Sequence, residues 1–191
     1  MKPLSAQQLK NARTILRQGG VVVLPSESSY GLFTPIRSAA GIKRILVLKG
    51  RRDTKFTLVA SSLAQVQKFF PAARSKQFTR AAQAVWPGPV SLVVSRRMSV
   101  RVPDLPMLRD LAQAVGQPLV ATSANQAGQP AAYSVVQVGR QIDLTQVDAV
   151  VDGGSLPRRK PSAVVVVTEA GVQVLREGPA HVNRTLKRIY E

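Results

Sequence analysis

The chain has 191 residues, of which 45% are hydrophobic, so it can bury a core and is too apolar to be read as disordered. It has no cysteine, which excludes disulfides and thiolate chemistry and fits a cytoplasmic protein. Its 27 lysines and arginines against 10 acidic residues give a net charge of +17. This charge predicts attraction to polyanions such as nucleotides or RNA, and a cationic surface without a specific partner is the alternative. No apolar run is long enough for a membrane span, and the first residues lack the apolar stretch of a secretory signal.

Helices and strands alternate in the first part of the chain. Ser5 and Gln8 form the capping box of a helix that ends at the glycines 19–20. Residues 21–24 read as a buried strand, residues 25–34 as a polar loop, and Ser38 as the cap of a second helix. The pattern then predicts a strand over 57–60 and helices around 62–70 and 75–85. A stiff turn at 86–89, anchored by Trp86, is followed by strands over 90–94 and 100–102. A helix over 106–115 and a strand over 119–121 come next, and the strand leads into a loop over 122–130.

Strands cluster towards the end of the chain. They are predicted over 147–151, 163–167 and 172–175, and Pro179 can open a terminal helix that contains Leu186 and Ile189. Early alternation followed by clustered strands favours an α/β fold with a twisted, mixed parallel and antiparallel sheet flanked by helices. Because no repeat or linker interrupts the pattern, residues 1–191 are predicted to form a single domain.

Four polar segments could carry chemistry, because ligands of α/β proteins bind where loops converge at strand ends. Residues 25–32 place hydroxyls and a carboxylate after a buried strand, although an ordinary serine-rich turn has the same composition. Residues 49–55 contain four cations, which suit a triphosphate as well as they suit a solvated helix end. Residues 122–125 are small and polar and could cradle a phosphate or a base edge, or form a simple turn that Asn125 initiates. Ser162 and Arg176 meet only if the last two strands pair in the right register.

Other kinds of site are not supported by the sequence. His181 is the only histidine, so neither a histidine triad nor a multi-histidine metal site can exist. No acidic or histidine cluster has the spacing of metal ligands, and no metal-binding residue is predicted. The phosphate-binding loop with the spacing GxxxxGK[ST] is also absent, so phosphate binding would have to use another design.

Six short motifs, in this order, resemble those of the YrdC-like family of threonylcarbamoyl-AMP synthases. They are the loop 25–32, the cations of 49–55, the turn 86–89, the segment 101–103, the segment 122–125 with a glycine at 128, and the pair 161–164 and 175–178. Each motif is weak alone. Their order and spacing across residues 21–178 identify the chain as a member of the family in its short form.

The resemblance implies an enzyme that uses ATP with Mg²⁺ to convert L-threonine and bicarbonate into threonylcarbamoyl-AMP and pyrophosphate. Partner proteins of such enzymes then transfer the threonylcarbamoyl group to tRNA. Matching positions imply that threonine is bound by Ser28, Arg101, Thr122 and Ser162. They imply that ATP is bound by Lys49, Arg51, Lys55, Ser123, Ala124, Asn125 and Arg176, with Lys49 and Arg51 as the catalytic residues.

Several residues depart from the family pattern. Ser26 and Ser28 stand where the pattern has threonine, Ala60 where some members have histidine, and Ala163 where the pattern has threonine. With the charge of +17, these departures keep a second hypothesis open: an RNA-binding accessory protein of the same fold with weak or no synthase activity. The candidate RNA surfaces are two basic clusters, one formed by Arg158, Arg159 and Lys160 and the other by Arg184, Lys187 and Arg188.

Overall fold

The computed structural model describes residues 3–169 and 171–179. Its α-helices are α1 (Ala6–Arg17), α2 (Ala39–Leu48), α3 (Leu63–Phe69), α4 (Lys76–Val85), α5 (Pro106–Val115) and α6 (Val135–Gly139). Its strands are β1 (Val22–Pro25), β2 (Tyr30–Pro35), β3 (Phe56–Val59), β4 (Val90–Ser95), β5 (Met98–Arg101), β6 (Leu119–Ser123), β7 (Ala149–Val150), β8 (Ala163–Thr168) and β9 (Gly171–Arg176). Within the described ranges, no helix combines the length and apolarity needed to cross a membrane.

Serine side chains begin most of these helices. The hydroxyl of Ser5 accepts a hydrogen bond from the backbone of Gln8, and the Gln8 side chain accepts one from the backbone of Ser5. This reciprocal capping box is the one that the sequence predicts. Ser38 caps α2 through the backbone N–H of Gly41, as predicted. The same type of cap starts three further helices at Ser62, Ser75 and Ser134.

The chain divides into two compact units, and each unit is built from two stretches of sequence. The first unit takes in the residues up to Thr54 together with 114–159, and the second takes in 55–113 together with the residues from Lys160 onward. The single domain that the sequence predicts over residues 1–191 therefore stays a prediction.

The first unit contains four strands in the order β7, β1, β2, β6. Strand β1 pairs antiparallel with β2 and parallel with β7, and β2 pairs antiparallel with β6. Strands β1 and β2 are buried along their whole length, and helices α1 and α2 pack against them. Leu16 of α1 and Ile45 of α2 are fully buried, so both helices contribute to the core.

The second unit contains five strands in the order β3, β5, β4, β8, β9. Parallel pairing joins β3 to β5 and β4 to β8, whereas the pairs β4–β5 and β8–β9 are antiparallel. Helix α4 packs against β8. Trp86, at the end of α4, donates a hydrogen bond from its indole N–H to the Val90 carbonyl over 2.7 Å and meets the Phe78 ring edge-on. It therefore anchors the turn 86–89, as predicted.

The α/β class with a mixed sheet flanked by helices is confirmed, but three predicted boundaries are wrong. The strand predicted over 147–151 covers only Ala149–Val150. The segment 25–34 is not one loop, because Tyr30–Pro35 forms the buried strand β2 and only the turn 26–29 remains. Strand β6 continues through Thr122 and Ser123, where the sequence predicts the start of the following loop. Helix α6 was not predicted. The predicted terminal helix with Leu186 and Ile189, His181, and the cluster Arg184, Lys187 and Arg188 lie outside the described residues.

Candidate active site

The turn between β1 and β2 carries the first predicted threonine ligand, Ser28. The backbone N–H and the hydroxyl of Ser26 both donate to the Ser29 carbonyl, over 2.9 and 2.8 Å, and this closes the turn. Ser28 is half-buried at its tip. Ser26 therefore closes the turn, and the role of Ser28 as a threonine ligand stays a prediction.

The polar segment 122–125 adjoins this turn through backbone pairing. In the register of β2 with β6, Leu32 is opposite Thr122 and Gly31 is opposite Ser123, and the Ala124 N–H donates to the Tyr30 carbonyl over 2.9 Å. A Cβ at position 31 would lie 2.8 Å from the Phe33 ring and 3.1 Å from the Thr122 carbonyl oxygen. Glycine is therefore required for the close approach that brings the two predicted segments to one end of the sheet.

Lys49 lies beneath the segment 122–125 and is almost fully buried, with 4% of its surface exposed. Its ammonium group donates to the carbonyls of Ser123 and Asn125, each over 2.6 Å, and its own carbonyl accepts from Ala127. Burial, with a smaller contribution from the positive charge of Arg51, lowers the pKa of Lys49 from 10.5 to about 8. The ammonium group thus shapes the loop, and among the described residues two acceptors use two of its three N–H bonds.

Asn125 ends this segment and is also buried, with 6% of its surface exposed. Its side-chain amide nitrogen donates to the carbonyls of Gln126 and Gln129, over 2.9 and 2.6 Å. Its side-chain oxygen is buried and has no hydrogen-bond partner among the described residues. Because a buried acceptor without a partner is unfavourable, this oxygen is a position where a ligand N–H or O–H would be stabilised.

The cationic segment follows α2 as irregular backbone. Gly50 adopts a positive φ of 58°, which lets the chain leave the helix, and Arg51 follows it. The guanidinium of Arg51 contacts both carboxylate oxygens of Asp53, with the Nε bond at 2.8 Å. The planar fork of Arg51 therefore already binds an oxyanion in the geometry that a phosphate would require. Arg52 is exposed.

The remaining predicted residues belong to the second unit, where a hairpin brings two of them together. In the β8–β9 pair, Val164 is opposite Arg176, and the Arg176 guanidinium donates twice to the Ser162 carbonyl, over 3.0 and 2.9 Å. Gly178 permits this arrangement, since a Cβ there would lie 2.7 Å from the backbone nitrogen of Ala163. The register that the sequence left open is thus the one that joins Ser162 to Arg176.

A second arginine lies within electrostatic range of this hairpin. Arg101, at the end of β5, has 8% of its surface exposed. Partial burial, and next the positive charge of Arg101, lower the pKa of Arg176. Two guanidinium groups that repel each other would be stabilised by an anion bound to them, so this end of the sheet is suited to a carboxylate or a phosphate. Lys55, also in this unit, is exposed at the start of β3.

Two residues of these clusters were missed by reasoning from the sequence. Ser91 is fully buried in β4, and its hydroxyl lies 3.0 Å from the Ser162 hydroxyl in a shared hydrogen bond. Asp53 is the carboxylate partner of Arg51. The alternation of the apolar strand 90–94 gives no signal for Ser91. For Asp53, its place two residues after an arginine is the only available hint.

Cationic and hydroxyl side chains gathered at strand ends define an anion-binding α/β protein. The family model Sua5_yciO_yrdC, described as "Telomere recombination", matches residues 14–178, and the chain belongs to this family. The threonylcarbamoyl-AMP synthase of Nitrosococcus oceani is 33% identical over 171 residues, which cover 82% of this chain and 91% of that protein.

Solved structures of the family have the same fold. The Sua5 protein of P. abyssi, crystallised in complex with L-threonine, superposes with a TM-score of 0.83 at 25% identity. The match covers 97% of this chain but 59% of the Sua5 chain, so this chain spans about three fifths of that protein's length. E. coli YciO superposes with a TM-score of 0.76 at 26% identity, covering 93% of this chain and 92% of that one.

Proposed function

We infer that this chain is a threonylcarbamoyl-AMP synthase, a nucleotidyltransferase that consumes L-threonine, bicarbonate and ATP. Relatives with this name are 31% to 36% identical and align over 78% or more of the chain. The observation that carries the inference is the placement of the motif residues. In each unit they gather into a cluster of cations and hydroxyls at strand ends, as binding of an amino acid and a triphosphate requires.

The reaction balances without a protein nucleophile. The threonine nitrogen attacks the carbon of bicarbonate, and loss of water gives a carbamate. A carbamate oxygen then attacks the α-phosphorus of ATP. The bond between the α-phosphorus and the oxygen that bridges it to the β-phosphorus breaks, and pyrophosphate leaves. Negative charge accumulates on the phosphates, so cations placed beforehand contribute most to the rate. This agrees with clusters that contain arginine and lysine but neither cysteine nor a histidine triad.

In the first unit, Lys49, Arg51 and the segment 123–125 have proposed roles in binding ATP. Arg51 binds the triphosphate through its planar fork and exchanges Asp53 for phosphate oxygens when ATP arrives. Lys49 holds the carbonyls of Ser123 and Asn125 in place and offers its remaining N–H to a phosphate oxygen. The unpartnered side-chain oxygen of Asn125 accepts from a hydroxyl or amino group of the nucleoside, since phosphate oxygens cannot donate. The same segment supplies Ala124 beside the nucleotide.

The second unit contains two arginines, Lys55 and a serine hydroxyl with proposed binding roles. Arg101 binds the threonine carboxylate, and Arg176 binds a phosphate, so that each guanidinium gains an anionic partner. The hydroxyl of Ser162, which Ser91 orients, binds threonine. Ser28 and Thr122 of the first unit keep the threonine-binding role that the family motifs imply for them, and Lys55 keeps the role of a phosphate ligand.

Mg²⁺ is proposed to enter with the nucleotide. In residues 3–169 and 171–179, no group of three or more acidic or histidine side chains is placed to bind a metal ion. The donor set therefore fits an ion whose ligands are mainly phosphate oxygens and water, which is how Mg²⁺ accompanies ATP. When bound, the ion neutralises charge on the phosphates during the transfer.

RNA is the proposed macromolecular partner, together with the proteins that transfer the threonylcarbamoyl group to tRNA in the cytoplasm. The proposed ATP and threonine ligands use five of the 27 lysines and arginines, so most of the charge of +17 is left for other contacts. The described part of the chain includes three consecutive exposed cations, Arg158, Arg159 and Lys160. The same charge supports the second hypothesis, an RNA-binding accessory protein with weak or no synthase activity.

Release of pyrophosphate from ATP separates the two hypotheses. A synthase should release pyrophosphate only when L-threonine and bicarbonate are both present. Arg51→Ala should abolish most of this release, whereas Arg52→Ala, with the same loss of charge one residue away, should retain it. Absence of threonine-dependent release from the folded protein, together with salt-sensitive binding of tRNA, would instead establish the accessory protein.

A further inference from the structure

A cavity of about 310 Å³ lies in the first unit, in the part formed by residues 130–158. Its lining includes Tyr133, Gln137, Arg140, Gln141 and Arg158. None of the residues proposed to bind ATP or threonine lines it. Its volume is at the lower end of the range for small-molecule sites and is adequate for one nucleotide unit.

Two arginines give the cavity a positive charge. The guanidinium of Arg158 lies over the Tyr133 ring, 5.5 Å from its centre. Arg140 is exposed at the end of α6. Neither guanidinium donates a hydrogen bond or forms an ion pair within the residues that the structure describes, so both can bind an anion without first breaking such a contact. A nucleobase packed against this pair would contact both a guanidinium group and an aromatic ring, the two kinds of group on which nucleobases stack.

Gln141 supplies a hydrogen-bond acceptor inside the cavity wall. Its side-chain nitrogen donates to the Pro130 carbonyl over 3.1 Å, which fixes the orientation of the amide. Its side-chain oxygen is buried and lacks a hydrogen-bond partner in the described part of the chain. A ligand that carries an N–H group would satisfy this acceptor, whereas a phosphate or a carboxylate could not.

The walls are held together before any ligand binds. The backbone N–H of Tyr133 donates to the side-chain oxygen of Gln137 over 2.7 Å, and the Tyr133 carbonyl accepts from Leu156 over 2.8 Å. The first bond joins the segment that precedes α6 to the helix itself, and the second joins it to the segment that carries Arg158. Because the walls need little ordering on binding, even a small ligand can bind with useful affinity.

We propose that this cavity is a nucleotide-binding site, separate from the synthase site, in which the arginines contact a phosphate and the Arg158–Tyr133 pair stacks on a base. A nucleotide offers all three matching groups, namely a phosphate, an aromatic ring and an amino or imino N–H for Gln141. The inference rests on the proposed RNA partner and places one unstacked residue of an RNA strand in the cavity. Free nucleotides share this chemistry and are the other source of the ligand.

The test uses the full chain and two cytidine probes, which avoid the adenine specificity expected of the ATP site. One probe is a fluorescent oligocytidine RNA of about 12 nucleotides, within the site sizes of single-strand binders. The other is cytidine monophosphate. Binding is measured by anisotropy and by calorimetry for the wild type, Tyr133→Ala, Arg158→Gln and the matched control Arg159→Gln. Arg159 is exposed beside Arg158, and it is not among the residues that line the cavity.

Tyr133→Ala should weaken RNA binding about 5- to 150-fold, the range for the loss of one base stack. Arg158→Gln should weaken it about 10-fold, and Arg159→Gln should have a much smaller effect. All three variants should keep threonine-dependent pyrophosphate release. If Tyr133→Ala and Arg158→Gln weaken binding of cytidine monophosphate but not of the RNA, the cavity is assigned to free nucleotides.

Equal effects of Arg158→Gln and Arg159→Gln, or an unchanged Tyr133→Ala protein, would overturn the site and leave only diffuse charge attraction. Failure of the wild type to bind either probe at low salt would overturn both the site and the proposed RNA partner. The pyrophosphate assay would stand independently of these results, so a failure of the proposed synthase reaction remains distinguishable.

Discussion

Raising the pH is expected to stabilise the folded protein through Lys49. Its ammonium group is buried against two carbonyls, and its pKa is lowered from 10.5 to about 8. Since the unfolded chain restores the ordinary pKa, the unfolded state binds more protons than the folded state between pH 8 and 10.5. The free energy of unfolding therefore rises with pH across this window. Below pH 8 the folded state carries the full destabilisation that comes from burying the charged ammonium group.

The size of the effect follows from the difference between the two pKa values. Each unit of pKa corresponds to about 1.4 kcal/mol, so complete deprotonation would remove a penalty on the order of 3 kcal/mol. At about pH 10, roughly 2 to 3 kcal/mol of this gain should be present. The matched variant is Lys49→Met, which has a similar length and cannot titrate. Tyr30, whose pKa is raised to about 12 by burial, would reduce stability only above pH 10 and does so in both proteins.

Urea unfolding at about pH 7 and pH 10 measures the difference directly. The wild type should gain on the order of 2 to 3 kcal/mol relative to Lys49→Met between the two conditions. If the two proteins change in parallel to within about 0.5 kcal/mol, the ammonium group is solvated. The burial that underlies the proposed role of Lys49 beneath the segment 122–125 would then be incorrect.

Four further outcomes are expected. Arg51→Ala should lower kcat/KM for ATP about 30- to 1000-fold. It should change the free energy of unfolding by less than about 1 kcal/mol, because the ion pair of Arg51 with Asp53 is partly exposed. An equal loss of activity in the control Arg52→Ala would contradict this. The wild-type kcat/KM for ATP should decline above about pH 8 as Lys49 loses its proton, and a profile that stays flat to pH 10 would exclude its charge from catalysis. Ser91→Ala should raise KM for threonine about 5-fold at nearly constant kcat, by releasing the Ser162 hydroxyl, whereas a fall in kcat alone would point to another role. In competition assays serine should be the best rival of threonine and should compete about 5-fold more weakly, because it lacks one methyl group. Valine should be rejected, and equal use of valine would refute a threonine pocket lined by hydroxyl groups.

Much of the fold could be predicted because its signals are local. Ser5 and Ser38 mark helix starts by their chemistry. The apolar runs at 22–25 and 163–167 form strands, and the first of these is buried along its whole length. Strand β2 escaped prediction because its buried residues include Gly31 and Thr34, which are common in loops. Its identity depends on long-range pairing with β6, a property that local composition does not encode.

The candidate site could be predicted in its membership but not in its contacts. The family motifs name Ser162 and Arg176, yet their hydrogen bond follows from strand register, which sequence alone cannot fix. Lys49 reads as one of several exposed cations, and only the structure buries it beneath carbonyls more than 70 residues away in the chain. Ser91 belongs to no motif, because its significance comes from its hydrogen bond to Ser162, which lies just before the neighbouring strand β8.

Direct detection of the product tests the central claim. The purified chain would be incubated with ATP, Mg²⁺, L-threonine and ¹³C-labelled bicarbonate, and the nucleotides would be separated and identified by mass spectrometry. We expect threonylcarbamoyl-AMP that carries one ¹³C atom, formed in equal amount to pyrophosphate and absent when either threonine or bicarbonate is left out. If the folded protein consumes no ATP, or forms AMP and pyrophosphate without incorporating the label, it is not a threonylcarbamoyl-AMP synthase.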